Sequence, residues 1–272
     1  MINENFPDIL FNDLKIIRDK RPLIHNITNF VVMNQTANVI LSIGASPVMS
    51  HSISEVEEMV SFAGALVLNI GTLWDELVDS MIKAGEIANK KSIPVILDPV
   101  GSGATRLRTE SALRILNEVH ISVIRGNPAE IKSITGKDAK IKGVDSIELN
   151  KIEELTEIAK KVSNRYDSVV AITGKTDIIS DGKNIFLSHN GDDMLKHITG
   201  TGCSSTVSCA CFMSVQKDMM IATLEGLSYY SVAAEIVGKE IKTPGSFETG
   251  LRDKLFNMTE EEYRDYFRIE EL

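Results

Sequence analysis

The chain has 272 residues, 43 % of them hydrophobic and 25 % charged, which is ordinary for a globular protein and long enough to bury a sizeable core. Its 38 acidic side chains outnumber 29 basic ones, and the formal charge of −9 argues against nucleic acid as the main partner, because such a binder needs a basic surface to displace counterions. Cys203, Cys209 and Cys211 crowd into one short stretch, so they form no disulfide framework and suit a reducing cytoplasm; the first residues do not read as a secretory signal, and no apolar run approaches the roughly 18 residues of a membrane span.

Strand and helix signals alternate along the chain. Residues 11–20 are amphipathic and helical, and 22–27 form a short apolar strand. Residues 29–44 read as a helix closed by Gly44, and 45–50 as a strand. The next helix, 54–63, opens with Ser54 and has Glu57 three residues on, the pattern of a capping box. A buried strand at 64–71 precedes a helix at 75–91. The strand 93–101 precedes a helix at 110–119, and the strand 121–127 runs into a helix at 128–136 that starts with proline. Residues 138–151 are the most loop-like. A helix at 152–166 and a strand at 168–174 follow. A hairpin over 177–188 turns at Asp181-Gly182, and beyond residue 200 the chain reads as almost entirely helical. Such alternation predicts one α/β domain over residues 1–272, a mainly parallel sheet with helices on both faces and a mostly helical C-terminal region.

In sheets of this kind ligands bind beyond the carboxyl ends of the strands. Those ends are chemically rich here. Asp98 precedes a glycine turn with Gly101 and Gly103; Arg125, Asn127 and Glu130 stand at the end of the next strand; Thr173, Gly174 and Asp177 stand at the end of another. Taken singly each has a plain reading, as a turn or a solvated charge. Together, acids able to hold magnesium, a cation for phosphates and glycine loops at one sheet edge point to nucleotide chemistry. No P-loop is present, because "GKT" at 174–176 would need a glycine at position 169, which is Val169. The stretch "TGTGC", Thr199 to Cys203, begins a helix whose free N–H groups suit an anion.

These residues resemble the hydroxyethylthiazole kinase family of the ribokinase-like superfamily. The resemblance rests on the long stretch from Pro22 to Met59, on "DPVGSGAT", "RGNPAEI" and "GVDS" at 143–146, and on "ITGTGC" and "TPGSF". It implies transfer of the γ-phosphoryl group of ATP, with Mg²⁺, to the primary hydroxyl of 4-methyl-5-(2-hydroxyethyl)thiazole, in a homotrimer with its thiazole site between subunits. By motif, Asn26, Met49 and Gly200 correspond to substrate contacts, and Arg125 and Thr173 to ATP contacts. Asp98 and Glu130 correspond to the metal and phosphate end, and Gly200, Thr201, Gly202 and Cys203 to an anion hole. Cys203 is the expected catalytic residue, orienting the hydroxyl and acting as a weak base at best. A thiol starts near pKa ~8.5, which a helix N-terminus lowers and ATP phosphates raise. Cys209 and Cys211 read as small buried hydrophobes. The nearest rival is hydroxymethylpyrimidine kinase, but that family carries a glycine-rich "GGAG" where this chain has "HNITNFVVMNQTAN". A second rival makes Cys203 a covalent nucleophile with a histidine base, for which His197 is near in sequence. A third, a nucleotide binder without catalysis, sits poorly with Asp98 and Glu130.

Overall fold

The computed structural model describes residues 5–136 and 148–272. Among the described residues nine strands form one sheet in the order β2-β1-β3-β4-β5-β6-β7-β8-β9. The strands are β1 (Leu23–Ile27), β2 (Ser46–Val48), β3 (Ala65–Asn69), β4 (Val95–Asp98), β5 (Val123–Gly126), β6 (Val169–Ile172), β7 (Asp177–Ser180), β8 (Ile185–Ser188) and β9 (Ile269–Glu271). The first six pair in parallel, and β7, β8 and β9 extend the sheet antiparallel.

Parallel strands are covered on both faces, so they read as continuous apolar runs, and alternate residues feed two cores. Ile24, Val67, Ile96 and Val123 face one side. There they pack against α1 (Phe6–Lys20), α2 (Met33–Ile43), α8 (Thr201–Met213), α9 (Met219–Glu240), α10 (Pro244–Asn257) and α11 (Glu260–Tyr266). Leu66, Leu68, Leu97 and Ile124 face the other side, where they pack against α3 (Val56–Val60), α4 (Asp75–Lys90), α5 (Arg106–Glu118), α6 (Pro128–Ser133) and α7 (Glu148–Tyr166). Helices α8 and α9 are buried almost all round, so neither shows a polar face. No helix among the described residues is long and apolar enough to cross a membrane.

Helices α1, α5 and α7 begin earlier than the sequence reading has them, at Phe6, Arg106 and Glu148, and four other details differ from it. Helix α2 starts at Met33 rather than 29, because the Asn29 side chain accepts the Val31 N–H and turns the chain before the helix can form. The capping box expected at Ser54 and Glu57 is not made. Helix α3 starts at Val56 without a side-chain cap, while the Ser52 carbonyl takes the N–H groups of Glu55 and Val56 and the Ser52 hydroxyl takes that of Ser54. The hairpin turn spans four residues, with Asp181 Oδ1 accepting from the Lys183 and Asn184 N–H groups and Gly182 at φ +91°. Lastly, the C-terminal region ends in β9, which covers the open edge of β8. The loop-like stretch 138–151 lies largely outside the described residues, as does "GVDS".

Candidate active site

The carboxyl ends of β4, β5 and β6 and the start of α8 open onto one cleft of about 1200 Å³. Asp98, Arg125, Glu130, Thr173, Gly200, Thr201, Gly202 and Cys203 all line it. Asn26 and Met49 do not. Asn26 is fully buried in β1, with its Nδ2 donating to Thr36 Oγ1 at 3.1 Å, and Met49 is half-buried just after β2.

Two glycines shape the rim. Gly200 caps α8 in the left-handed region, at φ +73°, and a Cβ there would lie 2.4 Å from Val32 Cγ1. At Gly202 a Cβ would lie 2.7 Å from Arg125 Nη1, so the guanidinium rests directly on the first turn of α8. No side chain caps that helix, and its first N–H groups have no intrahelical partner. Thr201 turns its hydroxyl back to the Leu195 carbonyl, at 3.2 Å. What α8 presents at its start is therefore backbone N–H and the positive dipole end, with Arg125 beside them, and an oxyanion suits that arrangement.

Arg125 is held by donating to the Thr173 hydroxyl and by Asp98, whose Oδ1 is 3.9 Å from Nη1. Asp98 is fully buried. Its Oδ2 accepts from Asn69 Nδ2 at 2.9 Å and from Thr206 Oγ1 at 3.0 Å, while Oδ1 has no hydrogen-bond partner among the described residues. Burial pushes its pKa up to about 6 against the opposing pull of Arg125. Glu130 completes a capping box at the start of α6. Its Oε2 accepts the Asn127 N–H at 2.8 Å, and its Oε1 reaches across to the Gly101 N–H at 2.9 Å. It thus ties the glycine turn after β4 to the helix after β5 and still presents a carboxylate to the cleft.

Cys203 is nearly buried. Asn69 Nδ2 donates to its Sγ at 3.1 Å and Asn29 Nδ2 at 3.7 Å. Burial, reinforced by the Asp98 carboxylate, drives the thiol up to about 12. Burial and Asp98 outweigh the opposing pull of the two asparagine amides and Arg125, and Cys203 is a thiol at neutral pH. Its hydrogen-bond partners are asparagine amides and not a histidine. Cys209 and Cys211 are fully buried in α8, their thiols also raised by burial.

The histidines are dispersed. His25 is buried and holds the Ser50 carbonyl at 2.9 Å, with burial lowering its pKa, and His51 pairs with Thr28. His189 and His197 line the outer cleft. The sequence reading missed Asn29 and Asn69. Both stand at strand ends, in "HNITN" and "VLNIG", and that position was the available signal.

The family profile of the hydroxyethylthiazole kinase family matches residues 14–261. A hydroxyethylthiazole kinase of Thermoanaerobacter pseudethanolicus is 51% identical over 250 residues, which cover 91% of this chain and 94% of that one. One from Desulfotalea psychrophila is 48% identical over 259 residues, 95% of this chain and 94% of the relative. Among solved structures, the hydroxyethylthiazole kinase protein of Pyrococcus horikoshii OT3 superposes with a TM-score of 0.89 at 41% identity, covering 97% of this chain and 99% of that one. A Staphylococcus aureus pyridoxal kinase in complex with AMP-PCP and pyridoxal gives a TM-score of 0.64 at 14% identity, over 92% of this chain and 98% of that one, and shares the ribokinase-like fold. Matched along most of its length in both sequence and structure, the chain belongs to the hydroxyethylthiazole kinase family.

Proposed function

We propose that the protein transfers the γ-phosphoryl group of ATP to the primary hydroxyl of 4-methyl-5-(2-hydroxyethyl)thiazole, giving the thiazole phosphate that feeds thiamine phosphate synthesis or salvage. The observation that carries the phosphoryl chemistry is the start of α8, where uncapped N–H groups and Arg125 face the same cleft as two carboxylates. The thiazole as acceptor rests on the family and on the relatives' names.

The residues fit a magnesium ion. Asp98 Oδ1 is buried without a hydrogen-bond partner among the described residues, and the Glu130 carboxylate shares the cleft. Among the described residues no group of three His, Cys, Asp or Glu side chains is placed to hold a metal, so Asp98 and Glu130 would hold the ion only together with phosphate and water oxygens. When bound, the ion neutralises phosphate charge. The chain's own groups do the rest. Arg125, steadied by Thr173, holds the transferring phosphate. The N–H groups of Gly202 and Cys203 face its oxygens as charge spreads over them. Cys203, a protonated thiol, orients the acceptor hydroxyl and does not remove its proton. A loose transition state asks mainly for positioning and charge stabilisation, so a strong base is dispensable.

Asn26 and Met49 belong to the thiazole side in this reading, with Gly200 between the two substrates. The family resemblance implies a homotrimer with the thiazole site between subunits, and we adopt it here; Asn26 and Met49 lie outside the one-chain cleft. Phe30, Val31 and Trp74 stand exposed near that end, the Phe30 and Trp74 rings 5.6 Å apart, as a contact surface would require. The enzyme works in the cytoplasm on small molecules. The test is ADP release from magnesium-ATP with hydroxyethylthiazole, hydroxymethylpyrimidine and pyridoxal supplied separately. Release dependent on the thiazole is the expected result, and preference for the pyrimidine would overturn the assignment of the acceptor.

A further inference from the structure

Two asparagines that the phosphoryl chemistry does not name are locked into one orientation each, and the lock ends on Cys203 and Asp98. An asparagine amide has two ends that look alike in shape, so its orientation must be argued from partners whose role is not in doubt. A backbone N–H is such a partner. The Gly71 N–H lies 3.0 Å from one end of the Asn69 amide, so that end is the oxygen. The Val31 N–H lies 3.1 Å from one end of the Asn29 amide, which fixes it likewise. Asn29 Nδ2 is then free to donate to Asn69 Oδ1, at 2.8 Å. Asn69 Nδ2 is left with two protons and two acceptors, Asp98 Oδ2 at 2.9 Å and Cys203 Sγ at 3.1 Å. All four hydrogen-bonding positions of the Asn69 amide are used, and both side chains are buried.

Gly71 belongs to the same device. A Cβ there would lie 2.5 Å from Asn29 Nδ2, so the amide occupies the space that a side chain at 71 would fill. Three segments far apart in sequence, the ends of β1 and β3 and the start of α8, are closed around one amide.

We infer that Asn69, keyed by Asn29 and Gly71, is a positioning residue for phosphoryl transfer: its Nδ2 sets the Cys203 thiol at a fixed separation from the Asp98 carboxylate. In the proposed function, on which this rests, the thiol marks the acceptor-hydroxyl end of the site and the carboxylate marks the phosphate end. The amide therefore sets the distance between the two reacting partners. Misplacement on the scale of 1 Å is enough to cost about 10²-fold in rate.

The test uses Asn69→Ala and, because that variant loses four hydrogen bonds, Gly71→Ala, which keeps Asn69 and displaces Asn29, whose Nδ2, Cγ and Cβ would lie 2.5, 2.8 and 3.0 Å from the new Cβ. Steady-state kinetics are normalised to the number of ATP-binding sites, so unfolded protein does not enter. Both variants are expected to lower kcat by roughly tenfold or more while KM for ATP and for the thiazole alcohol stays within about threefold. A crystal structure of Asn69→Ala is expected to show Cys203 Sγ displaced or in two rotamers. Unchanged kcat per binding site, a loss confined to KM, or a Cys203 side chain that has not moved would each overturn the inference. If the wild-type protein releases no ADP with the thiazole, the functional reading fails, and the Cys203 rotamer still decides whether Asn69 holds the thiol.

Discussion

At Cys203 burial and the Asp98 carboxylate prevail over the Asn69 and Asn29 amides and Arg125, leaving a thiol with a pKa of about 12. Between about pH 6 and about 9 such a group does not titrate, so it adds no step to a rate profile. We expect Cys203→Ser to overlay the wild-type pH–kcat curve in shape. We expect Cys203→Ala to lose roughly 10- to 100-fold in kcat, below the upper range of a true base, with ATP binding intact by calorimetry. Gly202 makes a complementary case. A methyl group there meets Arg125 Nη1 at 2.7 Å, so on the proposed function Gly202→Ala should displace the guanidinium and raise KM for ATP roughly tenfold, measured by initial rates. At this scale Asp98, Arg125 and Thr173 were legible because each ends a recognisable strand. Asn29 and Asn69 were not, since their meaning lies in contacts with a residue as far away as Cys203, 174 positions from Asn29.

Among the elements, the parallel strands announced themselves as short apolar runs between amphipathic helices, because burial on both faces leaves no polar alternation to mislead. Ends of elements were harder. Local side-chain competition moved the start of α2 past Asn29, and the Ser52 turn displaced the box read at Ser54 and Glu57. Strand β9 carries two acids in three residues and exists because the edge of β8 offers it partners, which is a tertiary effect. Helix α9 shows what a nearly all-buried helix tolerates. Glu225 within it is fully buried, and burial, sharpened by the neighbouring Asp13 carboxylate, pushes its pKa to about 10. An acid whose folded pKa is raised costs nothing below its ordinary value of 4.5, and stability is lost as pH rises from there toward 10. Glu225→Gln keeps the shape and removes the titration. Its melting temperature should exceed wild type by several degrees at neutral pH, by more in alkali and by little near pH 5, read by calorimetry.

On the scale of the whole molecule, one continuous sheet places Asp98, Arg125 and Thr173 at the ends of consecutive strands, and the buried helix α8 opens its N-terminus onto the same cleft. That arrangement follows from the order of strands and helices, so it was legible before any coordinate. The quaternary structure was not, because an interface is a property of shape and of apolar residues that single-chain patterns do not distinguish from ordinary surface. The proposed trimer predicts a light-scattering mass near three times 29.9 kDa. Replacing exposed Val31 and Trp74 with charged residues should lower that mass and raise KM for the thiazole alcohol before it affects KM for ATP. The most direct measurement of the central claim follows the phosphoryl group itself. Wild-type protein is incubated with magnesium, γ-phosphate-labelled ATP and hydroxyethylthiazole, and the products are separated. Label in the thiazole phosphate ester, appearing in step with ADP, is the expected result. Label released as free phosphate, or retained on the protein through Cys203, would contradict direct transfer in this cleft.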